Sequence, residues 1–246
     1  MTNDFDDLTR QTRRLTALHH TQYFASVVLA VCVWALMLVA VPALAHVPDL
    51  EVGSDRHSVA IGGPEVSRAI YGYLAPGEAH DDYTFTVSEP VTRVVGIIVP
   101  AYPEHAEFRP TVTVAGTAGG PTVIEDPGAD PRASLWEPFS LASFYEGGEA
   151  ELGFVPGVDY ELTVSAGDTG ARSGRYVVVF GGPEAFSADD IVATAGQLPR
   201  IWFGAYGGAP LRWNWAALVP LLLGVVTLVA LLAWVVTRVT KRVRST

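Results

Sequence analysis

Four histidines in the middle of the chain, His46, His57, His80 and His105, are the residues best suited to hold a metal ion. His46 offers the sharpest chemistry. It follows Pro42-Ala43-Leu44-Ala45, and cleavage after Ala45 would place its α-amine and imidazole together at a new amino terminus. That pair of nitrogens suits copper(II). His57, His80 beside Asp81-Asp82, or His105 between Glu104 and Glu107 would complete the ligand set. A histidine behind such a site is also simply tolerated, so the two cofactor readings are copper and none.

Carboxylates supply the other candidates. Asp81-Asp82, Glu125-Asp126 and Asp189-Asp190 are adjacent pairs, but calcium needs six to eight oxygens converging on one point, and no loop has the dense Asp/Asn-Gly register of a cage. Solvated acidic turns are the expectation. Glu137, Glu146 and Glu149 invite an acid–base pair of the glycosidase kind, yet nothing in the spacing sets their separation. Ser134, Ser140 and Ser143 lack the Gly-x-Ser-x-Gly setting of a nucleophile. No catalytic residue is expected, and the chain is not expected to be an enzyme. Trp136, Phe139, Phe144 and Tyr145 form an aromatic group that is a contact patch if exposed and part of the core if packed.

Charge and hydropathy organise the 246 residues around these candidates. Mean hydropathy is +0.28 and 49% of residues are hydrophobic, but two nearly uncharged blocks at 23–45 and 214–237 carry much of that. The stretch between them holds nine basic and 23 acidic residues, a formal charge of about −14. Nucleic acid would be repelled and is excluded as a partner. The single cysteine, Cys32, lies in the first block, so the middle segment can form no internal disulfide and no thiolate zinc site.

The second block runs uncharged for more than 20 residues, long enough to span a bilayer, and ends in Arg238, Lys241, Arg242 and Arg244. By the positive-inside bias that basic tail marks the cytoplasmic side. Trp213, Trp215 and Trp234 suit the interfacial belt, and Trp202 a membrane-surface element just before it. The first block is either a second transmembrane helix or a signal peptide ending in Ala-x-Ala; Arg13-Arg14 lies before it in both readings. Either way the acidic middle is extracytoplasmic in a cell-membrane protein.

Short β-branched and aromatic runs cut by Gly, Pro and Asp predict strands at 58–61, 68–74, 82–87, 92–99, 111–115, 150–154, 160–165 and 175–180. Turn signals recur at Ala-Pro-Gly77, Ser-Glu-Pro90, Val-Pro-Gly157 and Ala-Gly-Asp168. The expected fold is a mainly β, antiparallel two-sheet β-sandwich of jelly-roll-like form. Residues 100–149 are expected to include a long loop over one sheet edge. Gly72-Tyr-Leu with Asp81-Asp-Tyr-Thr-Phe-Thr-Val87, Pro156-Gly-Val-Asp-Tyr-Glu-Leu-Thr-Val164 and Ser173-Gly-Arg-Tyr-Val-Val-Val179 carry a family likeness. Over residues 70–181 the chain resembles the pre-peptidase C-terminal β-sandwich of exported prokaryotic proteins. The resemblance implies an accessory module that contacts carbohydrate or protein and has no catalytic residues of its own.

Ser187-Ala-Asp189-Asp190 reads as a helix start, with Ile191, Val192, Ala195 and Leu198 on one face before Pro199. The expected domains are a cytoplasmic segment 1–22, the apolar block 23–45, the sandwich 46–185, a juxtamembrane helix and linker 186–212, a transmembrane helix 213–237 and the basic tail 238–246. The expected role is non-enzymatic: binding a neighbouring membrane protein or envelope polymer, or joining a larger complex as a subunit.

Overall fold

Alternation of large apolar with small polar residues decides which side of each strand faces inward. In the computed structural model, which describes residues 46–50, 59–128, 131–167, 172–183, 185 and 187–243, Tyr83 and Phe85 of β4 (His80–Phe85) and Tyr160, Leu162 and Val164 of β10 (Tyr160–Ala166) are all buried. The two strands pair antiparallel with Leu162 opposite Tyr83. The apolar block 23–45, Cys32, the Ala45 cleavage site and His57 lie outside the described residues.

Two sheets pack face to face. One has six strands in the order β1-β3-β11-β5-β9-β8: β1 (Val47–Leu50), β3 (Arg68–Leu74), β5 (Val91–Pro100), β8 (Ser134–Glu137), β9 (Ala142–Phe154) and β11 (Gly174–Phe180). The other has five in the order β2-β4-β10-β6-β7, with β2 (Val59–Ala60), β6 (Pro110–Ala115) and β7 (Thr122–Ile124). The sheets are mixed rather than purely antiparallel, because β1 runs parallel to β3 and β2 parallel to β4. Neither edge strand is joined to its neighbour by a hairpin, so no tight turn imposes the opposite direction. The 100–149 stretch is likewise not one long loop. It holds a 3₁₀ turn (Pro103–His105), β6, β7, β8 and the first half of β9.

Between the sheets, Phe85 stacks on Tyr160 at 5.2 Å, and Phe154 meets Tyr160 edge-on at 4.9 Å. Gly72 leaves room for a neighbour: a Cβ there would lie 2.2 Å from the Tyr176 ring. The Tyr176 hydroxyl donates to Asp81 Oδ2 at 2.7 Å and lies 2.6 Å from the Tyr83 hydroxyl. Burial, against the Tyr176 hydrogen bond and with help from Glu78 and Asp82, raises the Asp81 pKa to about 6. The folded state thus holds this proton more tightly than the unfolded chain. Its contribution to stability is fully present below the unfolded value and is lost as pH rises through about 6. Asp81→Asn does not titrate, so its stability relative to wild type is expected to grow by about 2 kcal/mol between pH 4 and pH 8. Urea midpoints at the two pH values test this; a pH-independent difference would refute it.

A second apolar cluster lies on the outer face of the six-stranded sheet, under helix α1 (Ala188–Trp202). α1 starts where the sequence predicts: Ser187 Oγ accepts from the Asp190 N–H at 3.1 Å and the Asp190 carboxylate accepts from the Ser187 N–H at 2.9 Å. Its buried face is Thr194, Leu198 and Ile201, not the predicted Ile191, Val192 and Ala195; Val192 is 74% exposed. The helix also runs through Pro199 for one more turn. Docking of Leu198 and Ile201 on the sheet outweighs the hydrogen bond that proline lacks. The turn then closes with Gly204 at φ 60°, Gly204 N–H bonding Ile201 O at 3.1 Å and Ala205 N–H bonding Arg200 O at 2.8 Å.

Residues through Ala217 belong with the β-sandwich; from Leu218 the C-terminal helix α2 (Trp215–Val243) falls in a second unit and is described by itself. Its segment Trp215–Thr237, with mean hydropathy 2.7, is long and apolar enough to cross a membrane. Thr227 and Thr237 turn their hydroxyls back onto Leu223 O and Trp234 O, both at 2.8 Å, which hides the polar hydrogens from an apolar solvent.

Candidate functional site

Part of the outer face of the six-stranded sheet is left uncovered by α1, and there a groove of about 600 Å³ opens. Strand register builds it as two rows across four strands. Ala69, Val179, Gly96 and Glu149 form one row; Tyr71, Val177, Ile98 and Glu146 form the next. Phe139 and Phe144, packed in the cluster under α1, bound one end, and His46 contributes to the lining.

A β-bulge puts both glutamates on this face. In regular strand geometry residues three apart point to opposite sides. In β9 Ala142 and Phe144 face outward, whereas Leu152 and Phe154 face the inter-sheet core. The phase changes at Gly147-Gly148, where two residues of β9 oppose one of β5. Glu146 before the bulge and Glu149 after it therefore share the outer face. Neither φ is positive, so these glycines are needed for room: a Cβ at Gly147 would sit 2.5 Å from Ile97 O, and one at Gly148 would sit 2.0 Å from Glu125 O. The third acid, Glu137, lines the groove but is engaged, accepting from the Phe139 and Ser140 N–H groups at 2.9 and 2.6 Å. Among the described residues Glu146 and Glu149 form no ion pair.

The three described histidines of the candidate set are dispersed. His46 Nδ1 bonds Ser67 Oγ beside β1, and exposed His80 pairs with Asp82 at 3.2 Å on the other sheet. His105 is 3% exposed; its Nδ1 lies 3.2 Å from Pro100 O and its Nε2 accepts from the Arg175 N–H at 3.4 Å. Burial pushes its pKa down to about 4, and with both nitrogens used the neutral ring has no lone pair to spare. Among the described residues no three His, Cys, Asp or Glu side chains are grouped to hold a metal.

The acidic pairs serve the fold. Asp81 faces Tyr176 while Asp82 accepts from Thr163 Oγ1 at 2.7 Å. Asp126 bridges Arg109 at 2.6 Å and buried Arg132 at 2.9 Å, and Arg132 also lies 4.6 Å over the Tyr145 ring. Asp190 caps α1. The aromatic group divides as well: Phe139 and Phe144 are buried in the outer cluster, Tyr145 packs against the core, and Trp136 is exposed.

Sequence reading did not single out Arg175. It is buried on the outer face, donating from Nε to Gly204 O at 2.9 Å and from Nη2 to Pro210 O at 2.6 Å. Arg212 pairs with Glu104 and lies 3.9 Å over the Tyr102 ring. Asn214 donates to Leu141 O and Trp202 O at 3.1 and 2.9 Å, while its Oδ1 caps the first N–H groups of α2. The segment between α1 and α2 is thereby fastened to the sandwich. Trp202 joins it by an indole N–H to Phe139 O at 2.9 Å, whereas Trp213 and Trp215 are exposed and stacked 6.3 Å apart.

The fold is thus that of a mixed two-sheet β-sandwich followed by an apolar helix. No protein-family model and no curated protein matches the chain. Among solved structures it is similar to the pre-peptidase C-terminal domain of a collagenase from Bacillus anthracis, at 20% identity over 49% of this chain and 91% of that one, TM-score 0.32. It is also similar to CorA, a surface-associated copper-binding protein important in copper acquisition in Methylomicrobium album BG8, at 12% identity over 54% of this chain and 100% of that one, TM-score 0.29. A β-glucosidase from Paenibacillus barengoltzii shares 10% identity over 53% of this chain and 13% of its own, TM-score 0.25. The weak pre-peptidase C-terminal resemblance seen in the sequence is met again in the structure comparison, and no functional residue is carried over from it.

Proposed function

We propose that this chain is a membrane-anchored, non-enzymatic module whose extracytoplasmic β-sandwich binds a neighbouring membrane or envelope protein in the groove on its six-stranded sheet. The observation that carries the reading is a groove whose half-buried strip of Gly96, Ile98 and Val179 ends in two exposed glutamates that form no ion pair among the described residues. Charged groups left unpaired over apolar surface suit a partner better than a fold. The apolar helix supplies the anchor, and the basic residues after Thr237 set its C-terminal end on the cytoplasmic side.

Val94, 43% exposed at the groove, is the place to test this. A photo-crosslinking benzoylphenylalanine at Val94, activated in intact membranes, is expected to give one discrete protein adduct. The same residue at Val123, 54% exposed on the other sheet, is expected to give none. Equal or absent labelling from both positions would defeat the proposal.

An amino-terminal copper chelate at His46 is the alternative, supported only by its position next to the Ala-x-Ala site. Intact mass of the purified chain separates the two: a protein that keeps residues 1–45 has no such amine.

A further inference from the structure

Resting on the groove as a binding site, we propose that it clamps the arginine or lysine side chain of an exported polypeptide, the methylene stem over Gly96 and Ile98 and the charged head between Glu146 and Glu149. Three observations combine. The floor is small and apolar where the stem would lie, and Gly96 keeps it low: even a Cβ there would come only within 3.5 Å of the Glu149 Cβ. A long basic side chain buries its stem on such a surface and keeps its head among charges. The bulge sets the two carboxylates one two-residue strand repeat apart, about 7 Å, close enough for one cation to bridge both.

Among the described residues no arginine of the domain pairs with Glu146 or Glu149. Arg68 pairs with Asp49, Arg93 donates to Pro64 O and Glu65 O, and Arg132 pairs with Asp126. Arg175 and Arg212 are committed to the juxtamembrane segment and Glu104. The net acidic charge of the exported stretch would also draw a basic partner toward the face. A short basic–apolar segment meets both demands of the site, whereas the hydroxyls of a neutral glycan would hydrogen-bond the carboxylates but leave their charge unneutralised.

The test uses the full-length chain in its native membranes with benzoylphenylalanine at Val94. Adduct yield is compared for the wild-type groove and for Glu146→Gln/Glu149→Gln, at about 50 mM and about 500 mM salt. The double substitution is expected to lower the yield about fivefold at low salt, and high salt to bring wild type down to the variant. Sequencing of the adducted segment is expected to find Arg or Lys beside apolar residues. Glu161→Gln, exposed on β10 of the other sheet, is expected to leave the yield unchanged. An adduct insensitive to the double substitution and to salt, or formed on a segment without Arg or Lys, overturns the clamp while leaving groove binding intact. No adduct from Val94 at all removes both.

Discussion

Gly148→Ala is expected to lower the unfolding free energy of the sandwich by about 3 kcal/mol, the upper part of the range for an overpacked site. The added Cβ would lie 2.0 Å from Glu125 O and 2.8 Å from Glu125 C. Both are backbone atoms, so no rotamer change relieves the overlap; β9 or the end of β7 must move. In a domain of this size that loss corresponds to a fall in melting temperature of roughly 6–12 °C. Gly153→Ala is the control on the same strand, since nothing lies within 4 Å of its added Cβ. Its expected change is under about 1 kcal/mol. Thermal unfolding of the full chain in detergent compares the two, and equal melting temperatures would contradict the geometry. Because the bulge also sets which way Glu149 points, Gly148→Ala is expected to reduce crosslinking from Val94 even well below its melting temperature.

Arg175→Met is expected to release the segment between α1 and α2. The guanidinium is buried, makes two charge-assisted hydrogen bonds to Gly204 O and Pro210 O, and lies 5.7 Å over the Tyr73 ring. No carboxylate lies within ion-pair distance of it among the described residues; the carbonyls at the C-terminal end of α1 offer partial negative charge instead. Each such hydrogen bond is worth about 1.5–3 kcal/mol, and removing the cation returns part of that by ending its desolvation. The net loss is about 2–3 kcal/mol. It is expected to appear locally, because carbonyls at 204 and 210 can regain water if the segment lifts while the inter-sheet core stays closed. Hydrogen exchange should therefore speed up at Ala205, Ala209 and Arg212, with β4 and β10 unchanged. Arg175→Lys keeps the charge but not the fork that reaches both carbonyls, so its effect is expected to fall between. Unaltered protection in Arg175→Met would show that apolar docking of Leu198, Ile201 and Tyr206 holds the segment alone.

These two residues also mark where sequence reading stops. Strands with clean alternation, such as β4 and β10, were legible because each residue's environment depends only on its parity. Ser187 and Asp190 were legible because a capping box is made by residues three apart. The stretch from 100 to 149 was not. Glu146-Gly-Gly-Glu149 has the composition of a turn, and only pairing with β5 makes it a bulge inside a 13-residue strand. Arg175 stands in an ordinary closing strand, and its partners lie 29 and 35 residues further on. The face of α1 was misread because Ile191 and Val192 are apolar but the sheet meets the helix about two turns later, at Leu198 and Ile201.

The sequence by itself determined an acidic β-rich segment followed by an apolar run long enough to span a membrane, since length, charge and period are local properties of the chain. It also contained every acid of the groove: Glu137, Glu146 and Glu149 stood out as candidates with no way to relate them. Tertiary structure alone decided that two of them share one face of the six-stranded sheet, that His46, His80 and His105 do not converge, and that the segment before α2 is latched to the sandwich. Those outcomes depend on register and on contacts between residues far apart in the chain, which no local pattern encodes.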